Sequence, residues 1–155
     1  KEHLYALDEN WNQMWSKLII ESASGITGTT IFDFNGDGKF ETVYRDEQYL
    51  YIIDGAGNEA GPKIDCESKT LVEYPIVADV NGDGATEICV VCSAPGYAWD
   101  NEPEGEVRLY HADGQLWVPS RPVWNQHGYF NVNVEDDLTI PAEQTKQQAI
   151  FSNFL

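Results

Sequence analysis

The chain has 155 residues, 42% of them hydrophobic, and carries a formal net charge of −17 from 26 acidic and 9 basic residues. That is the length of one ordinary domain with enough apolar content for a core. So acidic a surface repels nucleic acid and anionic lipid, and no segment approaches the ~18 consecutive apolar residues of a membrane span.

Residues 3–7, His-Leu-Tyr-Ala-Leu, alternate as a strand does, meet the turn Asp8-Glu9-Asn10, and return through Trp11 to Trp15. Lys1 leads straight into this pattern with no secretory leader. The expectation is therefore that processing removed one or that the chain is a piece of a longer polypeptide. Next comes Asp33-Phe34-Asn35-Gly36-Asp37-Gly38-Lys39-Phe40-Glu41, which the chain writes again 46 residues later as Asp79-Val80-Asn81-Gly82-Asp83-Gly84-Ala85-Thr86-Glu87. Each copy offers side-chain oxygens at relative positions 1, 3, 5 and 9, a backbone carbonyl at 7, and glycine at 6. Hard cations such as calcium take about six to eight oxygen ligands from a tightly curled backbone, and Gly38 and Gly84 permit the curl. A plain Asn-Gly/Asp-Gly hairpin turn is the simpler reading of one copy. Two copies that agree at every oxygen-bearing position, each crowding three carboxylates into nine residues, favour a metal.

An EF-hand loop shares the first three oxygens and the glycine but needs a Glu at position 12 and flanking helices. Tyr44 and Val90 stand there, and the flanks are β-branched and aromatic, so these loops join strands. Between the loops, Tyr49-Leu50-Tyr51-Ile52-Ile53-Asp54-Gly55 repeats the strand-then-Asp-turn pattern, as do residues 106–117 with Asp113. The expected order is an acidic-loop hairpin (26–45), an outer hairpin (49–60), an acidic-loop hairpin (74–93) and an outer hairpin (106–118), with 61–70 as connector. Antiparallel four-stranded units at a period of ~40–50 residues are the signature of propeller blades. Residues 94–105 are an inserted loop, and 142–149 are at most one short helix. The fold expected is all-β: four-stranded antiparallel blades of a β-propeller, partial or a fragment, with little helix.

Cys89 and Cys92 fall on opposite faces of one predicted strand, so they do not pair. A hairpin at 79–87 brings Cys92 nearer than Cys89 to Cys66. That leaves two readings, a Cys66–Cys92 bridge or three small buried hydrophobes.

The acidic loops, with Tyr-Pro-Ile-Val-Ala before the second and a hydrophobic strand after it, resemble the FG-GAP/VCBS repeat. Related calcium loops occur in integrin α-subunit propellers. The resemblance covers about residues 1–118 and implies two calcium sites. Their ligands would be Asp33, Asn35, Asp37, the Lys39 carbonyl and Glu41, then Asp79, Asn81, Asp83, the Ala85 carbonyl and Glu87. The departure is Glu for the usual Asp at position 9. It divides residues 1–122 into blade segments 1–22 (outer strands), 23–65 and 66–122. Residues 123–155 are then the start of a degenerate further blade or a C-terminal extension. There, Asn131, Asn133, Glu135, Asp136 and Asp137 cluster without the Asp-Gly core, so no third calcium is expected. Residues 121–141 are similar to segments that follow such repeats in large secreted bacterial surface proteins.

No catalytic constellation is found. His3, His111 and His127 are isolated, and no Gly-x-Ser-x-Gly elbow, phosphate loop or nucleotide fingerprint occurs. Trp15, Trp117 and Trp124 are expected to wedge between blades, while Trp99 in the inserted loop is the candidate for holding a sugar. The function implied is a non-catalytic, calcium-binding structural or adhesive module, secreted or at the cell surface. Its open blade faces would be covered by the rest of a longer polypeptide or by neighbouring copies, and its ligand would be a glycan or a surface protein. The competing reading is part of a propeller-type polysaccharide lyase or hydrolase, drawing on Arg45, Arg108 or Arg121, or a carbohydrate-binding module.

Overall fold

In a computed structural model of the chain, residues 2–22, 27–68, 73–93 and 105–144 are described. They form three antiparallel sheets and no helix. The first pairs β1 (Glu2–Leu7) with β2 (Gln13–Ile19). The second orders β3 (Thr30–Phe32), β4 (Glu41–Arg45), β5 (Tyr49–Ile53) and β6 (Ile64–Asp65) side by side. The third has β7 (Ile76–Ala78), β8 (Glu87–Ser93) and β9 (Gly105–Tyr110).

The period-2 alternation of β4 and β5 sends their side chains to both faces of the second sheet. Tyr44, Tyr51 and Ile53 pack with Ile19, Leu4 and Trp15 of the first sheet. Val43 and Leu50 pack with Val77, Ile88, Val90 and Cys92 of the third. The middle sheet is thus buried on both sides, and its Leu50 and Ile53 are each worth roughly 1.5–3 kcal/mol of burial. Among the described residues, none covers the outer faces of the flanking sheets. Tyr5, Leu7, Met14 and Leu18 are exposed on the first, and Val91, Val107 and Leu109 on the third.

Two outer turns are built alike. Asp8 accepts the backbone N–H groups of Asn10 and Asn12, and Asp54 those of Ala56 and Asn58. The side-chain amide of the Asn four residues on returns to the same carboxylate in both cases. These bonds hold both carboxyls below their ordinary range: for Asp8 the Asn12 side chain is the largest cause, for Asp54 the Asn58 backbone. Asp113 has Trp117 four residues on, with no amide to lock the turn. Accordingly the expected return strand of the third outer hairpin is not formed; residues 111–120 leave β9 without pairing back. A second correction concerns 61–70. The return after Asp54 touches β5 through an Ile53–Glu59 bridge and then, past Gly61, pairs again as β6 against Tyr49 and Leu50. That stretch completes the second sheet as its fourth strand before it connects to the third. Residues 142–144 hold no helix, and 145–149 lie outside the described residues.

Of the two cysteine readings, the structure has the bridge: Cys66 and Cys92 are disulfide-bonded, with Cα atoms 5.0 Å apart, and join the second sheet to the third. Cys89 is a free thiol on the opposite face of β8, as the odd spacing requires. By the loop-closure estimate, a bridge across 26 residues stabilises by about 3.5 kcal/mol. The Cys66→Ser/Cys92→Ser double variant should lose about that much in chemical denaturation. Reductant should lower the melting temperature of the parent chain while leaving the variant unchanged.

Candidate metal loops

Each acidic loop closes one antiparallel strand pair, between Phe32 and Glu41 and between Ala78 and Glu87. No helix flanks either, which excludes the EF-hand geometry. The loops share one set of bonds from side-chain oxygen to backbone N–H, while the first loop adds a bond from the Asp37 N–H to Asp33. Position 1 accepts the N–H groups of positions 4 and 6: Asp33 from Gly36 and Gly38 (both 2.8 Å), Asp79 from Gly82 (2.7 Å) and Gly84 (3.0 Å). Position 3 accepts from position 5, Asn35 from Asp37 and Asn81 from Asp83, each at 2.8 Å. Position 5 accepts from position 7, Asp37 from Lys39 and Asp83 from Ala85, again at 2.8 Å. Position 9 reaches back to position 2, Glu41 to the Phe34 N–H (3.0 Å) and Glu87 to that of Val80 (2.9 Å).

The curl depends on glycine at positions 4 and 6. Gly36, Gly38, Gly82 and Gly84 all have φ between 73° and 88°, a region costly for any residue with a Cβ. Gly38 and Gly84 are the glycines read from the metal motif; the need at Gly36 and Gly82 is visible only in the backbone.

Every side chain expected to ligate therefore turns toward its own loop. The bonded oxygens have a second lone pair to give, since each carboxylate carries about four acceptor sites. Among the described residues, no group of three or more His, Cys, Asp or Glu side chains stands close enough to hold a metal ion. The donor set nonetheless has the chemistry a hard cation takes. Glu41 and Glu87 are buried. The ion pairs among the described residues, Lys17–Glu59, Arg45–Glu73, Arg108–Glu106 and Arg121–Asp136, involve no loop carboxylate. In the second loop the Asn81 amide NH2 points between Asp83 (3.0 Å) and Glu87 (3.3 Å), so a partial positive charge sits between two carboxylates. Burial pushes the Glu41 carboxyl up; the Phe34 N–H pulls it down, and the charges of Asp33 and Asp37 push it up again.

The two loops are joined through one residue. Val118 donates its N–H to the Phe34 carbonyl in the first loop, and its own carbonyl accepts the Thr86 hydroxyl of the second. A Cβ at Gly36 would lie 3.0 Å from the Val118 side chain. Trp117 packs beside it on Phe34, with ring centres 4.6 Å apart. The unpaired segment after β9 is thus the link between the loops, which the periodic reading missed. Trp15 packs against Gly57 in the turn of the second sheet, and Trp124 against Tyr129 and Tyr74. Trp99 lies outside the described residues.

The arginines expected for chemistry are tied down to different degrees. Arg45 is 2% exposed beside Glu73. Arg121 binds Asp136 and the carbonyls of Asn131 and Val134. Arg108 pairs with Glu106 and caps the Asp65 carbonyl. The acidic cluster of the tail forms no third coil: Asp136 holds Arg121, Asp137 caps Thr139, and Asn133 bonds Gly128 and Phe130.

No family model matches the chain, and no curated protein does. A solved structure does: the V. cholerae biofilm matrix protein Bap1, at 26% identity and a TM-score of 0.80. The match covers 98% of this chain and 25% of Bap1, so the chain spans about a quarter of the length of the protein it resembles. The stacked all-β architecture is therefore shared with a biofilm matrix protein.

A carboxyl with a raised pKa binds its proton more tightly in the folded than in the unfolded state. Stability then falls as pH rises between the ordinary and the raised value, so at neutral pH the Glu41 charge is a net cost without a cation. Glu41→Gln keeps an acceptor for the Phe34 N–H and removes that charge. In chelator at neutral pH the variant should melt above the parent chain; in millimolar calcium it should melt below it. The same order in both buffers would show that Glu41 meets no cation.

Proposed function

We propose that the chain is a non-catalytic, calcium-binding structural and adhesive module of a secreted or cell-surface protein, built from FG-GAP/VCBS-type blades of a β-propeller. The observation that carries this reading is the shared set of backbone bonds in the two acidic loops, made to the same oxygen-bearing positions. Calcium would be held by the Asp33, Asn35, Asp37 and Glu41 side chains with the Lys39 carbonyl. The second ion would take Asp79, Asn81, Asp83 and Glu87 with the Ala85 carbonyl. When bound, the ion supplies positive charge that offsets three crowded carboxylates. The chain's own part is to hold the β3–β4 and β7–β8 turns in register and, through Val118, to keep one loop in place against the other.

Two further observations support the placement. The Cys66–Cys92 bridge suits an oxidising compartment outside the cytosol. The architecture matches that of a biofilm matrix protein. The middle sheet, covered on both faces, is the pattern the flanking sheets would repeat. Their exposed apolar faces, Val107 being 68% and Met14 60% exposed, are the surfaces on which further blades of a longer polypeptide or neighbouring copies would stack. The lyase or hydrolase reading has less to draw on, because Arg45 is buried and Arg121 is bound within the tail.

Calcium binds the folded loops and not the unfolded chain. With a dissociation constant of ~0.1 mM and ~1 mM ion, each site contributes about 1.4 kcal/mol. Thermal melting should therefore rise with calcium, and Asp37→Ala and Asp83→Ala should each remove about half of the rise. An unchanged midpoint would remove calcium from the account. The open faces predict that the isolated chain associates as its concentration increases. Val107→Lys should reduce this in sedimentation runs at matched calcium.

A further inference from the structure

A cleft of about 290 Å³ lies between the second and third sheets, at the end opposite the acidic loops. Gln48, Tyr49, Asp65 and Glu67 form its wall on the second sheet, and Ser93 and Arg108 its wall on the third. The two walls are fixed to one another. Cys66 and Cys92, each adjacent in sequence to lining residues, are disulfide-bonded, and the Ser93 N–H donates to the Glu67 carbonyl. Arg108 bridges the same gap, its Nη1 lying 2.7 Å from the Asp65 carbonyl oxygen. A ligand entering the cleft meets walls already fixed to one another and an anchored Arg108, and preorganisation of this kind lowers the cost of binding.

The lining decides what would enter. Asp65 and Glu67 bring two carboxylates, against one guanidinium that Glu106 already partners. This balance opposes phosphate, sulfate and uronate groups. A free metal ion is not served either, since a guanidinium shares the cleft with only two carboxylates. The cavity is small for a drug-like apolar ligand. The Lys63 ammonium lies 3.7 Å from the centre of the Tyr49 ring, so one face of that ring is covered and Tyr49 serves as a wall. What remains is a compact set of acceptors (Asp65, Glu67), a donor (Arg108) and groups that do both (Gln48, Ser93, the Tyr49 hydroxyl). Vicinal hydroxyls, each giving and taking a hydrogen bond, complement that set.

We propose that this cleft is a binding subsite for one neutral sugar unit of a glycan, held by the Asp65 and Glu67 carboxylates and the Arg108 guanidinium. It rests on the adhesive reading above and gives it a ligand class, while using none of the acidic-loop residues.

The test is calorimetric titration of the chain, in calcium, with the trimers of maltose-, cellulose-, mannan- and chitin-type sugars, and with trigalacturonate as the anionic control. At least one neutral trimer should bind, and trigalacturonate should not. Glu67→Gln and Arg108→Gln should each weaken binding at least about tenfold. Ser93→Ala, a smaller change, guards against loss of fold, and melting temperatures confirm that each variant is intact. Binding of none of the neutral trimers, equal or tighter binding of trigalacturonate, or affinity unmoved by all three substitutions would overturn the proposal. A chain that still melts higher in calcium yet binds no sugar would remove the cleft and leave the scaffold reading standing.

Discussion

Three carboxylates within nine residues, twice, are the constraint around which this chain is arranged. The backbone answers by curling so that each acidic side chain meets N–H groups of its own loop, and glycines at two positions make the curl possible. The cost of burying Glu41 sits at the mouth of the hairpin that pairs β3 with β4, and Glu87 is buried at the matching place between β7 and β8. Anything that lowers this cost strengthens the turns that set the register of those hairpins. Charge in the loops and packing in the sheets are therefore coupled through the strand ends.

The sheets depend on stacking in turn. Among the described residues, only the middle one has both faces covered, and its alternating side chains divide cleanly between the two neighbouring cores. Trp15 reaches across from the first sheet to the turn at Gly57, Trp117 from beyond β9 to Phe34, and the disulfide from β8 to the residue after β6. Each contact crosses a boundary between units that could not bury both faces alone. Val118 belongs to the same class, and its backbone is hydrogen-bonded to both loops.

Much of this was legible in the residues. The acidic loops, their β flanks and the face assignment of Cys89 and Cys92 follow from composition and period-2 spacing. The choice between a Cys66–Cys92 bridge and buried thiols needed coordinates, because spacing alone does not give the path of residues 61–66. The return of the third outer hairpin was misread because a strand followed by an Asp turn occurs three times. The discriminating signal was present, however: Asn stands four residues after Asp8 and Asp54, and Trp after Asp113. β6 was missed because two residues after a glycine and a proline carry no period. The cleft at Asp65, Glu67 and Arg108 was hidden for a different reason. Its walls come from separate sheets and meet only when those sheets stack.

The central claim, that each loop holds one ion, is tested most directly by the stoichiometry of calcium binding to the chelator-stripped chain in isothermal calorimetry. The account predicts two ions per chain, one in Asp37→Ala and one in Asp83→Ala, and none in the double variant. No uptake by the parent chain, or an unchanged count in the single variants, would contradict it.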